Sequence, residues 1–114
     1  MSPRIFLVED DASFRALLGE YLGSLDYAVR EFGSGEEVLH ALAEGAECPD
    51  LVISDLNLGR LTGMQLLAEV HRCAPQTPVI LMTAFGGQAT AREVAAAGAE
   101  GYLDKPFEFE VMER

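Results

Sequence analysis

Polar side chains that could do chemistry collect directly after the apolar segments of this sequence. Four apolar segments are followed by carboxylates, a hydroxyl or an ammonium group, in chain order Glu9, Asp10, Asp11, Asp55, Thr83, Asp104 and Lys105. If these segments are parallel strands, their carboxyl ends meet at one edge of a sheet, where open α/β folds bind their ligands. The sequence therefore predicts one polar site assembled from distant parts of the chain.

The acids of this group favour a small, hard cation. Grouped carboxylates repel one another by about 1 kcal/mol per pair at ~4 Å in water, and by several times more in a partly dry cleft. Mg²⁺ usually binds one or two carboxylates, together with water and a phosphate. We therefore expect a magnesium site that includes Asp10 and Asp55. No His or Cys lies near enough in sequence to these acids to indicate zinc.

The elements that position these residues alternate between strands and helices. Five short apolar runs recur at intervals of about twenty to twenty-five residues, and helical spacing follows each of them. The runs span residues 5–8, 27–32, 51–54, 79–82 and 101–103. The first, third and fourth runs are the most continuously apolar, which is typical of central strands covered on both faces. The pattern predicts an α/β fold with a parallel sheet.

Three helices are predicted from apolar stripes and capping residues. The first stripe, which ends near Gly23, consists of Phe14, Leu17, Leu18, Tyr21 and Leu22. Ser34 with Glu37 and Thr62 with Gln65 match capping boxes, in which two side chains bind orphan amides at a helix start. The apolar faces that follow these boxes contain Val38, Leu39 and Leu42, and then Met64, Leu67 and Val70.

Two further helices are expected in the second half of the chain. Residues 88–97 are rich in alanine and stop at Gly98, where glycine can adopt a left-handed turn. Residues 107–114 follow Pro106 and are long enough for about two helical turns. A last helix this short would leave one face of the sheet thinly covered. We therefore expect residues 1–114 to be one domain, the N-terminal fragment of a longer protein.

Charge and hydropathy exclude several classes of partner. The net charge of −11 would repel a polyanion such as the DNA backbone or an anionic bilayer. The apolar run near the amino terminus is too short for a signal peptide or a membrane span. We therefore expect a cytoplasmic protein without direct binding to nucleic acid or membrane.

The chain resembles the receiver domain of two-component response regulators. The matching pieces are VEDD at 8–11 with Arg15, ISDLNLGRLTG at 53–63, MTA at 82–84 and LDKPF at 103–107. The resemblance implies a flavodoxin-like, doubly wound sheet of five parallel strands in the order 2-1-3-4-5. A member of this family is a well-known example of a sheet with that strand order. Apolar periodicity alone predicts the α/β class and not this order.

The same resemblance assigns a role to individual residues. It makes Asp55 the phosphoacceptor and Asp10 a direct Mg²⁺ ligand. It adds the main-chain carbonyl of Asn57 as a third ligand and Glu9 as an indirect one, through the water shell of the metal. The residues that would act on the phosphoryl group or change conformation with it are Thr83, Lys105 and Tyr102. The family commonly has aspartate at 9, proline at 59 and aspartate at 62, where this chain has Glu9, Gly59 and Thr62.

The function implied by the resemblance is a phosphorylation-controlled switch rather than an enzyme with a separate substrate. A sensor histidine kinase or phosphotransfer protein would donate to Asp55. The surface of the fourth helix, fifth strand and fifth helix would then control an output domain or partner, in transcription, and could form a homodimer. A stand-alone phosphate shuttle and a pseudo-receiver that is never phosphorylated remain alternatives.

Two functions on related sheets fit the sequence poorly. An aspartate-nucleophile phosphohydrolase generally has an acid two positions after its nucleophile and a cap domain, whereas Asn57 stands at that position. A flavodoxin-like cofactor binder would need a phosphate-binding loop after the first strand. Glu9, Asp10 and Asp11 stand there and would repel an anionic cofactor.

Overall fold

A parallel sheet of five strands forms the middle of the fold. The computed structural model describes residues 3–45, 49–56, 58, 60–83 and 88–104, with the backbone alone at 83, 88–91 and 102–104. The strands are β1 (Arg4–Val8), β2 (Ala28–Phe32), β3 (Leu51–Asp55), β4 (Val79–Thr83) and β5 (Gly101–Asp104). Their order is β2-β1-β3-β4-β5, and all neighbours are parallel. The predicted α/β class, the strand order and the central position of β1, β3 and β4 are confirmed.

The two faces of the central strands pack into separate apolar clusters. Along β1, Phe6 and Val8 belong to one cluster, and Ile5 and Leu7 belong to the other. Successive side chains of a strand point to opposite faces. A strand between two layers of helices therefore needs an apolar residue at every position. For this reason the first polar side chain after residue 4 comes where β1 ends, at Glu9.

Within the described ranges, four helices connect the strands. They are α1 (Ala12–Ser24), α2 (Gly35–Glu44), α3 (Gly63–Cys73) and α4 (Gln88–Ala96). None of them has both the length and the apolar character that are needed to cross a bilayer. Gly98 follows α4 with φ of +99°, the left-handed conformation expected for a glycine at a helix end. The helix predicted after Pro106 lies outside the described residues.

The predicted helix starts are confirmed with one difference. In α3 the Thr62 hydroxyl accepts from the Gln65 amide at 3.2 Å and the Gln65 side chain accepts from the Thr62 amide at 2.9 Å, so the capping box is complete. In α2 the Ser34 hydroxyl accepts from the Glu37 amide at 3.3 Å. The Glu37 carboxylate, however, accepts from the Gly33 amide at 2.8 Å, one residue earlier than the box pattern predicts.

The predicted apolar stripe of α1 is wrong at one position. Leu18, Gly19 and Leu22 are buried, whereas Leu17 is 54% exposed. Leu17 and Gly19 are separated by about 200° around the helix axis. Because the helix turns the bare backbone of Gly19 towards the sheet, Leu17 lies on the opposite side and remains in solvent.

Candidate functional site

Three carboxylates meet at the carboxyl edge of the sheet. β1 and β3 are neighbours, with Val8 in register with Ser54, so Glu9, directly after β1, comes beside Asp55, the last residue of β3. Oxygen atoms of Glu9, Asp10 and Asp55, one from each side chain, lie within 4.8 Å of one another. The structure thus brings together the three acids that the sequence placed in a metal site.

Two of the three carboxylates are shielded from water, so the repulsion between their negative charges destabilises the fold when no cation is bound. Glu9 is 1% exposed and Asp55 is 6% exposed, whereas Asp10 is open to solvent. Like charges ~4 Å apart repel by about 4 kcal/mol at the effective dielectric constant of ~20 that suits such sites. A bound cation would remove this repulsion.

The donor set fits Mg²⁺. All three donors are carboxylate oxygens, and such hard oxygen ligands suit this ion. Oxygens on opposite sides of Mg²⁺ lie about 4.2 Å apart, twice the usual metal–oxygen distance. The three donor atoms, all within 4.8 Å of one another, are therefore close enough to share one small ion and its water shell.

The turn after β1 is held by local hydrogen bonds. The Glu9 amide donates to the Phe32 carbonyl at 3.0 Å, which continues the pairing of β1 with β2. The Asp11 amide donates to Oε1 of Glu9 at 3.1 Å. The Asp11 carboxylate accepts from the amides of Ser13 and Phe14, at 3.0 and 3.2 Å. Asp11 is therefore the N-cap of α1, a role that aspartate often has directly before a helix.

The backbone at Asp55 is held from two sides. Its carbonyl accepts from the Ser54 hydroxyl at 2.9 Å, and the following amide, that of Leu56, donates to the Met82 carbonyl at 2.7 Å. The first residue of α3, Gly63, donates its amide to the Leu56 carbonyl at 2.9 Å. A hydrogen bond thus holds the start of α3 against the segment that carries Asp55.

Two residues near the cluster make contacts that the sequence did not predict. Arg15 on α1 donates from Nη1 to the Glu9 carbonyl at 2.7 Å. Gly63 leaves no room for a side chain beside the Asp55 backbone, since a Cβ would lie 2.5 Å from the Asp55 oxygen. Glycine often marks a place where two backbone segments come close. The glycine directly after the Thr62 cap was therefore the only feature of the sequence that could have indicated the approach of Gly63 to Asp55.

Of the other predicted site residues, the structure describes only the backbone positions of Thr83 and Tyr102. Thr83 ends β4 and is paired with Asp104 of β5, while Tyr102 is paired with Leu81. Their backbones therefore lie in the two strands beyond Asp55, on the side of the sheet away from β1. Asn57, Lys105 and Pro106 fall outside the described residues. The roles that the sequence assigned to all of these residues stay predictions.

Known proteins match this chain over almost its whole length. The model of the family described as "response regulator receiver domain" matches residues 5–114. The regulatory protein LuxO of Vibrio cholerae is 39% identical over 102 residues, which are 90% of this chain and 22% of LuxO. The transcriptional regulatory protein GlrR of Escherichia coli is 39% identical over 108 residues, which are 95% of this chain and 24% of GlrR. The chain therefore spans about a quarter or less of the curated relatives that it matches.

The fold also matches that of a solved structure with bound ligands. A response regulator protein from Burkholderia pseudomallei, crystallised with a phosphorylated aspartic acid, a calcium ion and citrate, superimposes with a TM-score of 0.87. The two sequences are 28% identical, and the match covers 98% of this chain and 65% of the other.

Proposed function

The chain belongs to the response regulator receiver domain family, and from this premise we propose that Asp55 accepts a phosphoryl group beside a bound Mg²⁺ and thereby switches a signalling output. The observation that carries the proposal is the cluster itself. Three carboxylates, two from the turn after β1 and one from the last residue of β3, converge within 4.8 Å. Of these three acids, Asp55 is the one that ends β3, the strand next to β4. Thr83, which ends β4, is therefore on the strand beside Asp55.

Asp55 can serve as the nucleophile although a carboxylate is a weak one. Phosphoryl transfer depends mainly on positioning and on neutralisation of charge. A carboxylate oxygen of Asp55 bonds to phosphorus while the bond between phosphorus and the imidazole nitrogen of the donor breaks, and the imidazole takes a proton from solvent. The product is an acyl phosphate on Asp55. Hydrolysis restores the carboxylate and releases phosphate, so the chain acts on itself and on no separate substrate.

The remaining site residues would bind the ion and the transferred group. When bound, Mg²⁺ supplies positive charge at the phosphoryl oxygens and the attacking carboxylate. Asp10, Asp55 and the Asn57 carbonyl would be its protein ligands, with Glu9 acting through water. Two further residues complete the proposal: the Thr83 hydroxyl would donate to one phosphoryl oxygen, and the Lys105 ammonium would neutralise another.

The switch is proposed to act through β4 and β5. Thr83 is paired with Asp104, and Leu81 with Tyr102, so a movement at Thr83 would act first on the neighbouring strand β5. Phosphorylation can shift this packing only by the difference in interaction free energy between the two arrangements. The proposed output surface consists of α4, β5 and the helix expected after Pro106, and it includes Tyr102. The same surface would form a homodimer.

The proposed partners follow from this chemistry. A sensor histidine kinase or a phosphotransfer protein would donate the phosphoryl group, and an output domain or partner protein would respond in the cytoplasm. LuxO and GlrR are named as regulatory and transcriptional regulatory proteins, which supports an output in transcription.

The test is phosphorylation by a small-molecule phosphodonor with Mg²⁺, followed by mass spectrometry of the intact protein. We expect a labile adduct of one phosphoryl group on the wild type and none on Asp55→Asn. Asp26→Asn is the matched control, because Asp26 is exposed, precedes β2 and has a φ of +69° that asparagine tolerates. It should be labelled like the wild type.

Two outcomes would contradict the proposal. Equal labelling of Asp55→Asn and the wild type would place the phosphoryl group elsewhere. No labelling of the folded wild type, with the donor or with a phosphorylated kinase, would favour a pseudo-receiver that binds its partner unmodified.

A further inference from the structure

We infer that Arg15 is a positioning residue for the cation site: it holds the main-chain carbonyl of Glu9 and so fixes the turn that aims Glu9 and Asp10 at Asp55. This inference rests on the proposed function. Arg15 belongs to the motif after β1 that the sequence singled out, yet nothing in the chemistry described above uses its side chain.

The contact is short and involves the main chain of the acidic turn. Nη1 of Arg15 donates to the Glu9 carbonyl at 2.7 Å, the distance of a charge-assisted hydrogen bond. The Glu9 carbonyl and the Asp10 amide belong to one planar peptide group. Because that plane is held through its oxygen, the direction in which the chain enters Asp10 is held as well.

The neighbours of Asp10 are then fixed on both sides. Glu9 is bound through its amide to Phe32 and through its carbonyl to Arg15. Asp11 is bound through its amide to the Glu9 carboxylate and caps α1 with its own side chain. Asp10, the exposed member of the cluster, therefore has little backbone freedom left, although its carboxylate faces solvent.

The guanidinium is itself held in place. Its Nε lies 3.5 Å from Oε1 of Glu31 on β2, and the Arg15 side chain is 23% exposed. Two glycines leave room for this pair. A Cβ on Gly19 would lie 2.7 Å from Oε2 of Glu31, and a Cβ on Gly33 would lie 3.3 Å from Nη1 of Arg15. Both contacted atoms are the ends of flexible side chains, so a larger residue at either glycine would push Glu31 or Arg15 out of its present place.

Position and charge make opposite predictions for the loss of Arg15. A guanidinium beside a cation site repels the ion, so an electrostatic role alone predicts that its removal tightens Mg²⁺ binding. A positioning role predicts weaker binding, because the carboxylates are no longer aimed at one point. Partners that hold metal-binding groups typically change metal affinity by 10-fold or more. The pairing with Glu31 reduces the repulsive effect, so we expect position to dominate.

The test is a Mg²⁺ titration of the unphosphorylated protein, in which the NMR signals of the backbone amides report binding. Arg15→Gln should raise the dissociation constant about 10-fold, and Arg15→Lys, which keeps one donor, should restore part of the affinity. Glu31→Gln should raise it by less, since it loosens the guanidinium without removing it. Arg72→Gln is the control for lost charge, because Arg72 also donates to a glutamate, Glu69, at 2.6 Å, but on α3. It should bind Mg²⁺ like the wild type.

The possible outcomes separate this inference from the function on which it rests. A wild-type dissociation constant in Arg15→Gln, or a lower one, would overturn the positioning role and leave the proposed function standing. A lower melting temperature of the metal-free variant, with unchanged Mg²⁺ affinity, would show a structural role only and would also overturn it. No Mg²⁺-dependent shifts in the wild type would overturn both. If Arg15→Gln does not fold, Arg15→Lys and Glu31→Gln decide the matter by the same titration.

Discussion

A Cβ on Gly63 would lie 2.5 Å from the carbonyl oxygen of Asp55 and 2.7 Å from the Cα of Leu56. Both atoms belong to the backbone, which cannot rotate away as a flexible side chain can. Gly63 is also the first residue of α3, and its amide donates to the Leu56 carbonyl. The absence of a side chain at this position therefore allows α3 to start directly against the segment that presents Asp55.

Gly63→Ala should destabilise the protein and also impair phosphorylation. One added methyl group in a tight site typically costs 1–3 kcal/mol, and we expect about 2 kcal/mol here. Urea denaturation measures this cost, and the rate of adduct formation on Asp55 measures the second effect. Gly23→Ala is the control, because a Cβ there meets nothing within 4 Å and alanine favours a helix. Equal stability of Gly63→Ala and the wild type would show that α3 can move away freely.

Gly98 and Gly45 form a matched pair for a second prediction. Both have positive φ, +99° and +70°, but a Cβ on Gly98 would lie 2.6 Å from Cε1 of His71, whereas one on Gly45 meets nothing within 4 Å. Gly45→Ala should cost about 1 kcal/mol for the left-handed backbone, and Gly98→Ala should cost more, because the His71 ring must also rotate away from the new methyl group. In a double-mutant cycle measured by urea denaturation, Gly98→Ala and His71→Ala should be coupled by about 1 kcal/mol. Additive effects would contradict the contact between the end of α4 and α3.

The location of the candidate site could be predicted from the sequence. The apolar runs of β1 and β3 are continuous because both faces of these strands are covered. The point where each run ends therefore marks the edge of the sheet, and Glu9 and Asp55 stand there. The cap of α3 was equally predictable, because the bonds between Thr62 and Gln65 join residues three apart.

Contacts with the main chain and the rotation of a helix could not be predicted in this way. Arg15 binds a carbonyl group, and every residue has one, so no residue type marks the acceptor. Leu17 is exposed because α1 turns Gly19 towards Glu31, a side chain twelve residues further along on β2. Such effects depend on how elements pack, and a periodic pattern within one element does not contain that information.

A third prediction concerns the ion pair on α3. The hydrogen bond from Arg72, together with its charge, holds the pKa of Glu69 below its ordinary value. A carboxylate with a lowered folded-state pKa stabilises the fold above its unfolded-state pKa, and this contribution is lost as the pH falls through the folded-state value. Arg72→Gln should raise the pKa of Glu69 and remove this acid-sensitive contribution, as NMR titration of the Glu69 carboxyl group would show. Arg60→Gln, in the loop before α3, should leave that pKa unchanged.

The repulsion within the acidic cluster leads to the last prediction, which concerns metal removal. Without a divalent cation, Asp10→Asn should raise the free energy of unfolding by about 1 kcal/mol, because one of three mutually repelling carboxylates loses its charge and Asp10 is the one exposed to solvent, where repulsion is weakest. With Mg²⁺, the order should reverse. Binding to the folded state stabilises the wild type by an amount that grows with the ratio of free Mg²⁺ to its dissociation constant, and the variant lacks a ligand.

The measurement is thermal denaturation in a chelator and at increasing Mg²⁺, with sodium chloride at equal ionic strength as the control. Asp26→Asn carries the same change of charge away from the cluster and should keep the Mg²⁺ dependence of the wild type. If the melting curves of Asp10→Asn and the wild type rise in parallel with Mg²⁺, Asp10 is not a ligand. If the wild type does not respond to Mg²⁺ at all, the cluster is stable without a cation. The repulsion between Glu9, Asp10 and Asp55 must then be offset within the protein.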